Sequence, residues 1–264
     1  MAAFFLELFS EEIPARMQAE AAADLARAGA ELLGALSPRA PRTWHGPRRI
    51  ALALDLAPES AAREGSERGP RLGAPEAALA GFLRKHGAER AALREEGGYW
   101  VLATRTPARP AAEIIAAVLP PLLRRFPWPK SMRWGAGSAF AWVRPLRRIL
   151  CLLDGEVVPL GLAEPGDDGH HLVAGRLTEG HRFLAPAAFP VASAAEWETR
   201  LEAAHVIADA ARRRAAIEAG INAVAATAGY AVVPDPALLD EIAGLVEYPV
   251  PLLGRIDAGF MDLP

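Results

Sequence analysis

The sequence predicts an α+β fold: a mixed-sheet domain over residues 1–190, then a helical segment over 191–264 that opens a further domain. Three observations predict it. Short apolar or alternating runs bounded by turn residues recur as far as about residue 190. A stripe at helical spacing follows the first of them, and beyond 190 the apolar residues keep the helical period.

Phe4 to Phe9 reads as a buried strand, and Pro14 suits the first turn of a helix, where its missing amide costs nothing. Met17, Ala21, Leu25, Ala28, Leu32 and Leu36 form one apolar stripe, which Ser37-Pro38 ends. Ile50, Leu52, Leu54 and Leu56 alternate with Arg49, Ala51, Ala53 and Asp55, so one face of this strand is expected to be buried. Residues 58–75, rich in Gly, Pro and charge, read as a surface loop or ribbon, followed by a short helix over about 75–86. Gly97-Gly98 can supply the positive φ angles of a hairpin turn between 91–95 and 99–105. A helix over 111–125 carries Pro120-Pro121, which must kink or interrupt it.

Asp154-Gly155 is the strongest hairpin signal in the chain, joining 148–153 to 156–162. Residues 197–205 and 209–228 read as helices, the second with Ile217, Ile221, Val224 and Ala228 on one stripe and Gly229 as its C-cap. The apolar run 245–254 needs a packing partner, yet the chain stops at Leu263-Pro264 soon after. The expectation is therefore a fragment of a longer polypeptide.

The chain has 264 residues, 52% hydrophobic and 23% charged, a globular composition. One cysteine, Cys151, excludes an intramolecular disulfide and a four-thiolate zinc site, and its apolar run suggests an inert buried thiol. The N-terminus lacks the basic region of a signal peptide, and no apolar stretch reaches the roughly 20 residues of a membrane span. A cytoplasmic protein without a membrane partner is expected.

Net charge is −3, which taken alone argues against nucleic acid. Its distribution argues otherwise: residues 114–153 hold no Asp or Glu but carry Arg124, Arg125, Lys130, Arg133, Arg144, Arg147 and Arg148, a formal +7. That footprint fits a surface meeting phosphate; scattered solvated arginines are the alternative. Trp128, Trp134 and Trp142 in the same stretch could stack on bases, brace the loop or pack in the core.

Other chemistry is thinly represented. The Lys130-Ser-Met-Arg-Trp run lacks the spacing of a class I synthetase signature loop, and no phosphate-cradling Gly-rich loop or nucleophile elbow is present. Asp167-Asp168, His170-His171 and His181 have metal-ligand types, but neighbouring side chains of an extended segment diverge, so a solvated loop is the competing reading. Glu11 and Glu12 are read as acids near a helix start rather than a catalytic pair. No catalytic and no metal-binding residue is assigned.

Several stretches together resemble the bacterial glycyl-tRNA synthetase β-subunit family. Leu6-Glu-Leu-Phe-Ser-Glu-Glu-Ile-Pro-Ala is similar to its L-x-E-I-G-T-E-E-L-P motif, with Phe9-Ser10 in place of Gly-Thr. Gly46-Pro-Arg-Arg-Ile-Ala-Leu resembles its A-P-R-R-L-A-L, and Glu67-Arg-Gly-Pro its K-R-G-P. Pro129-Lys-Ser-Met-Arg-Trp-Gly with Phe140-Ala-Trp-Val-Arg-Pro-Leu, Thr178-Glu-Gly-His-Arg-Phe-Leu and Leu245-Val-Glu-Tyr-Pro-Val-Pro-Leu match three more, all in order.

The resemblance implies an α2β2-type ligase in which the α subunit binds glycine, ATP and Mg²⁺, with no cofactor in this chain, while the β subunit grips tRNA-Gly. It also implies a fold like the tRNA-side domains of phenylalanyl-tRNA synthetase. Arg48, Arg49, Lys130, Arg133, Arg144, Arg147, Arg148 and Arg182 are then candidates for phosphate contact and His181 for a polar contact, each of which could instead brace the fold. A scaffold holding α against β is the alternative function, and an editing hydrolase a third.

Overall fold

The computed structural model describes residues 1–260; Leu263-Pro264 lies outside them. The chain is α+β, as expected. In order it forms β1 (Ala2–Ser10), α1 (Ala15–Leu32), β2 (Arg39–Gly46), β3 (Arg49–Leu56), β4 (Arg63–Arg71), α2 (Glu76–His86), β5 (Leu93–Glu96), β6 (Tyr99–Thr106) and α3 (Ala111–Arg124). There follow β7 (Leu146–Leu153), β8 (Glu156–Val157), β9 (Ala174–Gly175), β10 (Leu177–Glu179), β11 (Ala188–Pro190), α4 (Ala194–Ala203), α5 (Ala210–Thr227) and α6 (Pro236–Ala243).

The chain divides into two compact units, Met1–Ala57 with Ala112–Pro264, and Pro58–Ala111. The boundary placed at residue 190 is not one of these divisions. Val191, Trp197 and Leu201 pack with Phe5, Trp44 and Leu150 in one cluster, so α4 completes this core, while Ile217, Leu239 and Ala243 of α5 and α6 form a small cluster of their own. The composition change at 190 marks a change of secondary structure, not of packing.

In the first unit, β2-β3-β1-β7-β8 form one sheet, with β9 parallel to β7 and every other pairing antiparallel. The register sets Leu6 beside Leu52 on one side and Cys151 on the other. Glycine at position 29 lets α1 lie close on this sheet, since a Cβ there would stand 2.9 Å from the Leu52 side chain. The buried stripe of α1 is Gln18, Ala21, Ala22, Leu25 and Gly29, then Leu33. Leu32, expected inside, is exposed: it is the last residue of α1, and Leu33 just beyond it takes the buried place.

The other sheet face is also covered, contrary to the half-buried reading of β3. Ala51 packs against Phe5, Trp44 and Trp197, whose rings meet edge to face at 5.2–6.0 Å. Each such pair contributes about 1 kcal/mol beyond its area burial.

Two hairpins form where Gly97-Gly98 and Asp154-Gly155 place them, although β8 stops at Val157. Pro120 and Pro121 are accommodated inside α3, which runs on to Arg124 without interruption. α6 lies in a stretch whose Asp235-Pro236 start is a sound helix signal: the Asp235 carboxylate accepts from the Leu238 amide and proline takes the first turn.

The second unit is smaller. Its sheet runs β4-β6-β5, and β4 occupies part of the stretch read as loop or ribbon. Gly69 of β4 sits against the Phe82 ring of α2, so the helix covers one face of this sheet. Among the described residues no helix is long and apolar enough to cross a membrane.

Candidate functional site

β1 reads Ala-Ala-Phe-Phe-Leu-Glu-Leu-Phe-Ser, with a single charge among apolar neighbours. That charge, Glu7, is fully buried and meets Arg49 of β3, whose Nη1 donates to Glu7 Oε1 at 3.0 Å. The Arg49 Nη2 group donates to Glu247 Oε1 at 2.9 Å and to the Glu179 carbonyl at 3.0 Å. Arg48 stands 3.5 Å from Glu247 and 3.6 Å from Glu179, and Arg148 Nε donates to Glu179 at 2.8 Å. Three arginines thus face three glutamates, with the Arg48 and Arg49 guanidinium groups over the Phe9 ring at 4.6 and 5.0 Å.

Burial pushes the Glu7 carboxyl above the usual glutamate range, and Arg49 pulls against that rise. Burial also works against the charge on Arg49, but Glu247 and Glu7 more than restore it. A buried cluster of this kind costs desolvation on every member and is retained only while all are matched. It fixes geometry, although Glu7 Oε2, Arg48 Nε and Nη1 and Arg49 Nε are buried without a hydrogen-bond partner.

The outer edge of the cluster is more open. Glu11 pairs with both Arg147 and Arg182, and Glu12 with Arg182. Neither acid caps α1, which starts at Pro14 without a side-chain cap. His181 Nδ1 accepts from the Phe183 and Leu184 amides at 3.2 Å, so this histidine closes a turn.

The loop over 127–145 is the other feature. Phe126, Trp128, Phe140 and Trp142 are buried in one aromatic cluster, with ring centroids 5.0–6.0 Å apart. Trp134 is half-buried and stacks on His170 at 4.3 Å. The backbones of Met132 and Trp142 exchange two hydrogen bonds, 2.8 and 3.2 Å, which pin the loop onto the cluster. Asp167 fixes its far side, accepting from Ser138 Oγ, the Ala139 amide and Arg124. Those hydrogen bonds, with Ser138's the largest influence, hold the Asp167 carboxyl well below the usual aspartate range.

On this braced loop Lys130, Arg133 and Arg144 are exposed, and among the described residues none has a carboxylate within 4.0 Å. Arg144 donates to the carbonyl of its neighbour Val143 at 3.1 Å.

The candidate residues therefore separate. Arg49, 2% exposed, and Arg48, 8% exposed, are ion-paired inside the fold, which is the bracing alternative's arrangement. Trp128 and Trp142 pack in the core and are not surfaces for stacking bases. Arg147, Arg148 and Arg182 are at the surface but already ion-paired, and Lys130, Arg133 and Arg144 stand free of acids. Among the described residues no group of three His, Cys, Asp or Glu is arranged to hold a metal ion. Burial pushes the Cys151 thiol up to about 12, which leaves it unreactive.

The sequence profile described as Glycyl-tRNA synthetase beta subunit matches residues 4–264. The chain belongs to the glycyl-tRNA synthetase β-subunit family. It is 46% identical over 270 residues to a glycine–tRNA ligase beta subunit of Paracoccus denitrificans, covering 98% of this chain and 38% of that relative. Identity to the corresponding protein of Dinoroseobacter shibae is 47% over 281 residues, covering 100% and 37%. For Phenylobacterium zucineum it is 46% over 268 residues, covering 100% and 39%. The chain thus spans under two-fifths of the length of these relatives.

Within this glycyl-tRNA synthetase β-subunit fold, four of the stretches that carry the family resemblance meet at the buried charge cluster. Glu7 comes from the first, Arg48 and Arg49 from the second, Thr178 and Glu179 from the fifth and Glu247 from the last. The sequence held a signal for this: a lone acid in an otherwise apolar strand demands a buried cation.

Proposed function

We propose that this chain serves a two-subunit glycine–tRNA ligase as part of its β subunit, binding and orienting tRNA-Gly through the loop that carries Lys130, Arg133 and Arg144. The supporting observation is the pairing of three uncompensated cations with a rigid anchor. Free cations on a preorganised loop neutralise phosphates without first breaking ion pairs or ordering the backbone. Arg147 and Arg182 are secondary contacts that exchange Glu11 and Glu12 for phosphate. ATP, Mg²⁺ and adenylate formation are assigned to the α subunit in an α2β2-type assembly, and the cytoplasm is the expected location.

The reading is tested by measuring tRNA-Gly affinity across a salt series for the chain and for K130Q/R133Q/R144Q. The expected result is a log–log salt slope shallower by about 2 to 3 in the variant, since each phosphate contact contributes about 0.7–0.9. Identical slopes would overturn it.

A second reading, scaffolding of the α subunit, is favoured by a separate feature. Val250, Leu252 and Ile256 are largely exposed, Leu252 at 87%, and Phe260 in the short turn that follows is exposed too, apolar surface suited to a protein partner. Co-purification of the chain with the α subunit without tRNA, lost when Leu252 and Ile256 become serine, supports that reading.

A further inference from the structure

The second unit carries a surface that the reading above does not use. In β6, Leu102 and Trp100 fall on the face that α2 covers, whereas Tyr99, Val101, Ala103 and Arg105 alternate onto the other, with Val101 buried at 7% in register between Arg68 and Arg94. The register adds Ser66 and Arg68 of β4 and Arg94 of β5 to that second face, opposite Ala103 and Val101. Ala103, Arg105, Ser66, Arg68 and Arg94 are exposed, and a shallow concavity is lined by Glu64, Ser66, Arg94 and Arg105. Unit two therefore has one covered and one open sheet face.

The open face is built around Tyr99. The Arg68 guanidinium lies 3.5 Å from the centre of its ring, and Arg71 Nε donates to its hydroxyl at 2.8 Å. Among the described residues Arg68, Arg71 and Arg105 have no carboxylate within 4.0 Å; Glu64 stands opposite Arg105 in register without an ion pair. Arg94 on this face is neutralised by Glu96 at 3.0 Å. Residues 58–111 carry a formal +2 in a chain of −3.

We infer that this open face of the β4-β6-β5 sheet is a second RNA-binding surface, taking the sugar–phosphate backbone of tRNA on Arg68, Arg71 and Arg105. Guanidinium groups held on an aromatic ring lose little freedom on pairing with phosphate, and each offers a planar fork that matches phosphate oxygens. An antiparallel sheet with one open basic-aromatic face is a geometry that proteins use for RNA. Arg68 and Arg105 are about 13 Å apart along the strands, by strand rise, so they reach different phosphates.

The inference rests on the reading that the chain engages tRNA, and the test separates the two. Affinity for a labelled tRNA-Gly transcript is measured over a salt series with the full chain, R68Q/R71Q/R105Q, R68K/R71K/R105K, E64Q/E96Q and, as a charge-matched control on α2, R84Q/K85Q. The expected result is a slope shallower by about 2 to 3 in the glutamine triple. The lysine triple recovers most of it, E64Q/E96Q binds more tightly than wild type, and the control changes little.

E64Q/E96Q needs no disruptive change, so the inference stays testable if the glutamine triple fails to fold. Unchanged binding in the glutamine triple and in E64Q/E96Q, beside weakened binding in K130Q/R133Q/R144Q, overturns this inference alone. A glutamine triple that keeps RNA affinity but loses α-subunit co-purification marks a protein interface and overturns it as well. A wild-type chain that does not bind the transcript at low salt overturns both readings.

Discussion

Arg49 donates to Glu247 at 2.9 Å across 198 residues of sequence, tying the first residue of β3 to the segment after α6. Because the same guanidinium also holds Glu7, removing Glu247 leaves a buried cation short of charge inside the sheet.

Glu247→Ala is expected to destabilise the chain by about 3–5 kcal/mol, the usual cost of breaking a buried pair from one side. Chemical denaturation checks this. Arg49→Lys is expected to be nearly as damaging, since one ammonium cannot reproduce the two-armed contact to Glu7 and Glu247.

Arg213 of α5 has its guanidinium buried, with no acid within 4.0 Å among the described residues, donating to the carbonyls of His45, Ile207, Ala208 and Ala243. Burial pulls its pKa down to about 10. Arg213→Met leaves those carbonyls unmatched and is expected to cost about 3 kcal/mol or more. The check is the denaturation midpoint, with faster amide exchange in α5 and α6 as a second readout.

Asp167 supplies a pH dependence. Its carboxyl is lower in the folded chain than in the unfolded one, so its stabilisation is full above the ordinary value of 3.8 and is lost as pH falls through the depressed folded value. Asp167→Asn is therefore expected to be less stable than wild type at neutral pH. The difference closes progressively below about pH 4 in denaturation series run at several pH values. A constant difference down to strongly acidic pH contradicts this account of the loop.

Much of this architecture was legible in sequence because its signals are local. Pro14, Gly97-Gly98 and Asp154-Gly155 act through backbone preferences that depend on a few neighbours, and the structure places a helix and two hairpins there. The arginines were harder to sort. Arg48 and Arg133 look alike in an arginine-rich sequence, yet one is enclosed by Glu179 and Glu247 and the other faces solvent. The difference is set by carboxylates 131 and 199 residues away, which no local pattern encodes. The same holds for Ala51, whose burial depends on Trp197 arriving from α4.

In the proposed function Lys130, Arg133 and Arg144 contact tRNA while adenylate chemistry lies in the α subunit. The most direct test is the assembled two-subunit ligase carrying K130Q/R133Q/R144Q, assayed for tRNA glycylation and for glycine-dependent ATP–pyrophosphate exchange. The account predicts that kcat/KM for tRNA falls by about tenfold or more, steeply dependent on salt, while exchange is unchanged. Glycylation at the wild-type rate, or a parallel loss of both activities, would contradict it.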